Sequence, residues 1–155
     1  MTTTTTATET DLTVRTTRFG DLAVAPDAVV TFTDGLLGFP DARRFVAVPH
    51  DAPGSPFVYL QSVERAELAF LLLPPVLVSP GYAPPLPADV DSGQAALWAI
   101  VTVPPGRPRD MTVNLLGPLA IMGSVGRQIV LDNPDGRYAA RHPVAAPARP
   151  AAAAA

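Results

Sequence analysis

The chain has 155 residues, 48% of them hydrophobic, which is enough for one domain of ordinary size with a buried core. No run of about 18 apolar residues occurs, so the sequence predicts no membrane-spanning helix, and the lack of cysteine excludes disulfides and thiolate metal sites. The 14 acidic and 11 basic residues, the latter all arginine, give a formal net charge of −3. This balance disfavours direct nucleic-acid binding, which needs a basic patch, and suits a basic protein partner.

The two ends of the chain differ in composition from its middle. Residues 1–12 are rich in threonine, and residues 145–155 consist of alanine and proline with one arginine. Segments without many large apolar side chains cannot offset their ordering entropy, so both are predicted to be disordered tails around one β domain at 13–144. The threonine-rich start lacks the basic and apolar regions of a signal peptide, and the expected location is the cytoplasm.

Proline decides the predicted fold class. The chain has 19 prolines, which recur every few residues from Pro26 onward and leave no room for long helices. Short β-branched and aromatic runs between Pro, Gly and Asp predict an all-β domain with helix confined to short turns. Strands are predicted at 13–19, 28–32, 57–60, 68–73, 95–103, 111–116, 118–122 and 127–131, with shorter apolar runs at 22–24 and 45–48.

The segment between the predicted strand at 28–32 and the apolar run at 45–48 contains a loop and a possible helical turn. Leu36, Leu37 and Phe39 lie in a glycine-rich stretch, and apolar residues in such a loop indicate that it packs against the core. Asp41 is a candidate N-cap for a helical turn over 42–44.

The segment 57–75 combines the highest apolar density with the clearest boundaries. Its two strands are apolar on both alternating faces and are predicted to be buried on both sides, and Pro74 ends the second. The turn between them carries Glu64, Arg65 and Glu67. The two carboxylates are either a general acid/base pair or a solvated turn face, and the arginine between them favours the turn face. Because loops carried by rigid strands often bind partners, the turn is a candidate contact surface.

Signals for catalysis and metal binding are weak. His50 and His142 are the two histidines, both near loop prolines, and no nucleophile elbow accompanies them, so solvated loop histidines are favoured over a catalytic base. Asp89 and Asp91 resemble part of a calcium loop but lack the later glycine and glutamate. The residues therefore indicate a binding module rather than an enzyme, with no catalytic residue, cofactor or metal ligand predicted.

Several segments in matching order resemble one known family. Leu37-Gly38-Phe39-Pro40 resembles the early segment of the FliW family of flagellar assembly factors. Further segments that resemble the family are 44–45, 60–62, 67–70, 101–103, 111–115, 117–119 and 128–131, and the closing residues Tyr138, Arg141, His142 and Pro143. The resemblance covers residues 15 to 144 approximately. Each segment alone is weak, but the ordered set is specific.

The resemblance implies a small antiparallel β-roll or barrel that acts as a protein-binding regulator. FliW-like proteins bind the RNA-binding regulator CsrA, relieve its repression of flagellin mRNA translation, and also bind flagellin. The alternatives are a flagellin-specific chaperone without CsrA regulation and, less favoured, an enzyme. Combined with the acidic charge, the resemblance predicts a CsrA-binding face at the hairpin turn. Its candidate residues are Gln61, Glu64, Glu67, Asp89 and Asp91.

The sequence departs from the family pattern in three places. Pro74 stands where the family usually has an aspartate, and Gly81 stands where an acidic residue usually precedes the tyrosine, here Tyr82. Met122 replaces the asparagine that usually ends the Pro-x-x-Ile-Asn pattern. Two of these three departures remove a carboxylate.

Overall fold

The structure, a computed structural model, describes residues 11–50, 52, 54–91, 93–132, 136 and 138–144. Strands dominate this part of the chain, and its helical segments are three short 3-10 turns, Pro26–Ala28, Pro75–Leu77 and Pro108–Asp110. The strands are β1 (Leu12–Thr16), β2 (Gly20–Val24), β3 (Val29–Phe32), β4 (Arg44–Pro49), β5 (Val58–Ser62), β6 (Ala69–Leu73), β7 (Ala96–Thr102), β8 (Thr112–Met122), β9 (Val125–Gln128) and β10 (His142–Pro143). Of the predicted tails, residues 1–10 and 145–155 lie outside the described residues, whereas Asp11 and Leu12 are described and Leu12 is the first residue of β1.

Seven of these strands close into a barrel. Strands β3 to β9 pair in chain order, each antiparallel to the next, and β9 then pairs with β3 in parallel to close the ring. Strands β1 and β2 form a separate hairpin, and β10 adds to the first residues of β8. The prediction of an all-β, barrel-like domain with short helical turns is confirmed.

Closure of the ring depends on a residue without a side chain. Phe32, the last residue of β3, lies opposite Gly126 of β9 and is fully buried. A Cβ atom built on Gly126 would overlap the Phe32 ring, so the two strands can pair at this distance only because position 126 is glycine.

Parts of the barrel wall are packed on both faces. Phe32, Phe45 and Leu60 belong to one buried cluster, whereas the neighbouring residue Val46 packs with Val14 of the β1–β2 hairpin in another. Successive side chains of a strand point to opposite faces. Phe45 therefore lies on the inner face of the barrel, and Val46 lies on the outer face, where the β1–β2 hairpin covers it. The third cluster, around Leu73, is covered by the connection after β6 and by the end of the described chain.

Strand β8 is continuous but contains a large bulge. In its ladder with β7, Trp98 lies opposite Leu119 and Ile100 opposite Asn114, so Ala99 alone faces the four residues 115–118. The Asn114 side-chain oxygen accepts hydrogen bonds from the backbone N–H groups of residues 116 and 117, at 2.9 and 3.2 Å. Pro118 is tolerated within this strand because a bulge removes the need for its missing N–H group.

Several local predictions were wrong. The sequence predicted two strands, at 111–116 and 118–122, separated at Gly117. The structure has one strand, β8, with the bulge at that position. The last barrel strand covers residues 125–128 rather than 127–131. Asp41 caps no helical turn, because Arg44 already begins β4. The first strand ends at Thr16, and residues 17–19 form the turn into β2.

Candidate functional site at the β5–β6 hairpin tip

The tip of the central hairpin, residues 63–68, is a compact turn held by its own hydrogen bonds. The Ser62 N–H donates to the Leu68 carbonyl at 2.9 Å, and the Leu68 N–H donates to the Arg65 carbonyl at 3.0 Å. The Ser62 hydroxyl accepts from the Arg65 N–H at 3.0 Å. The backbone of the hairpin tip is therefore fixed before any partner arrives.

Gln61 supports the hairpin tip from inside. Its side chain is fully buried, and its amide nitrogen lies 3.0 Å from the Ser62 carbonyl oxygen, 3.1 Å from that of Leu68 and 3.2 Å from that of Ala66. Its Oε1 atom is buried without a hydrogen-bond partner among the described residues. Gln61 was predicted to contact a partner, but in this geometry it presents no surface, because its side chain is enclosed by the turn.

Glu64 and Glu67 lie together at the hairpin tip, each beside an arginine. Arg44 Nε and Glu64 Oε2 are 2.8 Å apart, and the Arg44 N–H donates to Glu64 Oε1 at 3.2 Å. Desolvation opposes ionisation of Glu64, but the bonds from Arg44 outweigh it and lower the pKa of Glu64 below its ordinary value. The backbone N–H of Glu67 and the Arg65 guanidinium, 3.0 Å away, lower the pKa of Glu67. Both carboxylates are therefore anionic at neutral pH.

The two carboxylates differ in how available they are. The side chain of Glu67 is 62% exposed and that of Glu64 is 30% exposed. Because Arg44 holds Glu64 from two sides, Glu64 fixes the tip to the start of β4, whereas Glu67 projects into solvent. Glu67 is thus the carboxylate best placed for a new contact.

Two neighbouring segments border the hairpin tip. The Arg65 guanidinium lies over the Phe39 ring at 5.7 Å from the ring centroid, a distance at which a cation–π attraction acts. On the other side the Thr17 N–H, in the turn after β1, donates to the Ala66 carbonyl at 2.9 Å. The tip is therefore packed between the 33–43 loop and the β1–β2 turn.

Asp89 and Asp91 lie away from the hairpin tip. Strand β6 begins beside the tip and ends at Leu73, which lies opposite Ala99 of β7. The first residues of β7 therefore lie at the end of β6 that is remote from the tip, and the two aspartates precede them in the chain. Asp89 forms an ion pair with Arg127 of β9. Asp91 Oδ1 accepts a hydrogen bond from the Gly93 N–H at 2.9 Å and closes a local turn. The predicted site residues therefore divide between two regions.

The prediction that both histidines are solvated loop residues was wrong, because each is half-buried and hydrogen-bonded. His50 Nδ1 is 2.9 Å from the Ser55 hydroxyl, and His142 Nε2, in β10, is 3.1 Å from the Val78 carbonyl oxygen. Within the described residues, no three His, Asp or Glu side chains come close enough together to hold a metal ion. None of the described helical segments is long and apolar enough to cross a membrane.

The pairing of Arg44 with Glu64 was missed by sequence reasoning. The two residues are 20 positions apart, and their contact depends on the register of β4 against β5, in which Phe45 lies opposite Ser62. The sequence signal was the position of Arg44 immediately before an apolar run, which could have marked the first residue of a strand.

Comparisons with known proteins agree with this architecture. The family model described as FliW protein matches residues 13–144. A flagellar assembly factor FliW of Desulfitobacterium hafniense (strain Y51) is 40% identical over 139 residues, covering 83% of this chain and 88% of that protein. One of Moorella thermoacetica is 37% identical over 139 residues, covering 83% and 85%.

A solved structure shares the fold. The crystal structure of the flagellar assembly factor FliW aligns with a TM-score of 0.73 at 27% identity, and the alignment covers 86% of this chain and 96% of that one. The similarity therefore extends over almost the whole of the solved protein. With the family model and the relatives in agreement, this chain belongs to the FliW family of flagellar assembly factors.

Proposed function

We propose that this protein binds the translational regulator CsrA in the cytoplasm, relieves CsrA repression of flagellin mRNA translation, and also binds flagellin. Membership in a family of assembly factors supports a binding role over a catalytic one. The observation that carries the CsrA contact is the hairpin tip, a pre-formed turn that presents the exposed carboxylate of Glu67 with Glu64 beside it.

The rigidity of the hairpin tip lowers the cost of binding. Contacts at a fixed backbone order few additional degrees of freedom, so more of the interaction free energy appears as affinity. Each exposed carboxylate contributes modestly alone, but two on one surface attract a cationic partner and raise the association rate. The net charge of −3 acts in the same direction.

Charge also accounts for the proposed effect on RNA. An RNA-binding regulator is basic where it holds the phosphate backbone, so an acidic protein bound to it opposes RNA binding. Coupling between the two ligands is reciprocal, so RNA bound to CsrA weakens the binding of this protein to CsrA by the same factor. In this proposal the protein itself contacts no nucleic acid.

Calorimetric titration of CsrA into charge-reversed variants tests the proposal. The variant carrying Glu64→Arg and Glu67→Arg is expected to bind CsrA at least about tenfold more weakly than the unmodified protein. Raising the salt concentration should weaken the unmodified complex, because the Debye length is already about 10 Å at 0.1 M. Thermal unfolding of the variant serves to show that the domain remains folded.

A matched variant separates contact at the hairpin tip from overall charge. Asp89→Arg with Asp91→Arg changes the net charge equally, but at the other end of the β6–β7 ladder. A smaller loss of affinity in this variant supports the hairpin tip. Equal losses would contradict a specific contact at the tip. Binding of flagellin without any binding of CsrA would select the alternative, a flagellin-specific chaperone without CsrA regulation.

A further inference from the structure

A shallow apolar depression lies between the 33–43 loop and the chain after β9. Its volume is about 400 Å³. Leu37 and Val130 both line it and are 72% and 66% exposed, more than the other exposed large apolar side chains of the described chain. Single exposed apolar residues are ordinary on protein surfaces, whereas apolar residues that are exposed together and bordered by polar ones are a feature of interaction sites.

The exposed position of Leu37 is fixed by its surroundings. Gln128 Oε1 accepts a hydrogen bond from the Leu37 N–H at 2.7 Å, and Gln128 Nε2 donates to the Gly117 carbonyl at 3.0 Å. The adjacent Leu36 is 2% exposed, and its N–H donates to the Phe39 carbonyl at 3.3 Å. Burial of Leu36 and anchoring of the Leu37 backbone hold the Leu37 side chain outward, so its exposure is not an effect of a loose loop.

The loop is also closed tightly on itself. Gly35 has φ +69°, and a Cβ atom there would lie 2.6 Å from the Pro40 carbonyl oxygen. Only glycine fits such a backbone conformation and such a close approach. The floor of the depression is therefore formed before a ligand binds, which lowers the entropic cost of binding.

The border of the depression carries one carboxylate, that of Asp34. Asp132 follows two residues after Val130 in the chain but does not line the depression. Neither carboxylate forms an ion pair with a described basic residue. The nearby Arg43 directs its Nε atom to the Pro40 carbonyl, 3.3 Å away. A cation placed beside the depression would therefore find an unpaired carboxylate.

We propose that this depression binds a segment of a partner protein that inserts an aliphatic side chain between Leu37 and Val130 and places a Lys or Arg against Asp34. The acidic border disfavours a second copy of this chain, because a symmetric contact would bring like charges together. This surface adjoins the hairpin tip, because Phe39 of the same loop contacts Arg65, but none of its lining residues belongs to the tip, and the proposal does not depend on CsrA binding there.

Nuclear magnetic resonance titration with synthetic peptides tests the proposal. The probe is a short peptide with two adjacent leucines followed by a lysine, and the comparison peptides replace the lysine by glutamate or both leucines by serine. We expect saturable shifts of the amide signals of Leu37, Gly38 and Val130 with the first peptide. The glutamate peptide should bind at least about threefold more weakly, and the serine peptide should cause no saturable shift.

Variants assign the binding to this depression. Leu37→Ser with Val130→Ser should abolish the shifts, and Asp34→Asn should reduce the preference for lysine over glutamate. The matched control is Val76→Ser with Leu77→Ser, which removes two other apolar side chains that are each 50% exposed and should leave binding unchanged. No saturable shift with the leucine–lysine peptide would overturn the proposal. A dimer that dissociates in the Leu37 and Val130 variant would also overturn it.

Discussion

Gln61 shows at the scale of one residue how a polar side chain can act without facing solvent. It lies next to the turn in sequence, but its amide points into the turn and faces backbone carbonyl groups. Ser62 is fully buried, and its carbonyl accepts a hydrogen bond from this amide at 3.0 Å. Buried carbonyl groups that lose their donor destabilise a protein, so the hairpin tip depends on this amide.

Replacing Gln61 isolates this contribution. Gln61→Met keeps the volume of the side chain but removes its donor, and we expect it to lower the free energy of unfolding by about 1–3 kcal/mol. Urea denaturation measures the change. The matched control is Gln128→Met, whose amide also bonds to the backbone but is only half-buried, and which should cost less. A Gln61→Met variant as stable as the unmodified protein would contradict this dependence on the amide.

The charged residues of the hairpin tip were partly predictable. The polar run between two apolar strands located Glu64 and Glu67 correctly in a turn, because alternation and turn composition are local signals. The partner of Glu64 could not be predicted, since Arg44 meets it only through the register of β4 with β5. Gln61 was assigned to the surface because sequence gives residue type and position but not the direction in which the side chain points.

At the scale of elements, the β3–β9 pair is the joint of the ring. Every other neighbouring pair of the seven strands is antiparallel and consecutive in the chain, whereas β3 and β9 are parallel and come from opposite ends of the domain. Gly126 makes this joint possible by leaving space for the Phe32 ring. Its role was not visible in the sequence, where Gly126 lies between the strands predicted at 118–122 and 127–131.

A double-mutant cycle tests this joint. Gly126→Ala should lower the free energy of unfolding by about 2–3 kcal/mol, because the added methyl group overlaps Phe32. Combining it with Phe32→Leu should cost less than the sum of the two single substitutions, since the smaller side chain leaves space for the methyl group. Purely additive losses would contradict direct contact between the two positions. Chemical denaturation of the four proteins gives the required values.

At the scale of the whole molecule, the order of the strands could be predicted from the sequence, but the closure of the barrel could not. Prolines and short apolar runs specify an all-β chain, and chain-order pairing is the commonest arrangement of such strands. Closure requires knowing that β9 turns back to β3, and the bulge in β8 that redirects the strand has no clear sequence signal beyond Gly117 and Pro118.

Closure through distant segments should make folding slow. The ring forms only when residues near 31 meet residues near 125, so loop-closure entropy is lost before the contact stabilises the fold. We expect refolding on a timescale of milliseconds to seconds. Stopped-flow fluorescence of the single tryptophan, Trp98 in β7, measures the rate. Refolding in microseconds would contradict this account.

The closed barrel also affects the lifetime of a complex with a partner. Each of the seven barrel strands has a neighbour on both sides, and β10 pairs with the first residues of β8, which β9 does not reach, so the barrel offers a partner no complete free edge strand. A partner on the barrel wall therefore contacts side chains and loops, and it can leave without breaking the backbone ladder. The lifetime of such a complex would depend on contacts of side chains and loops, and neither binding nor release would require a change in the barrel itself.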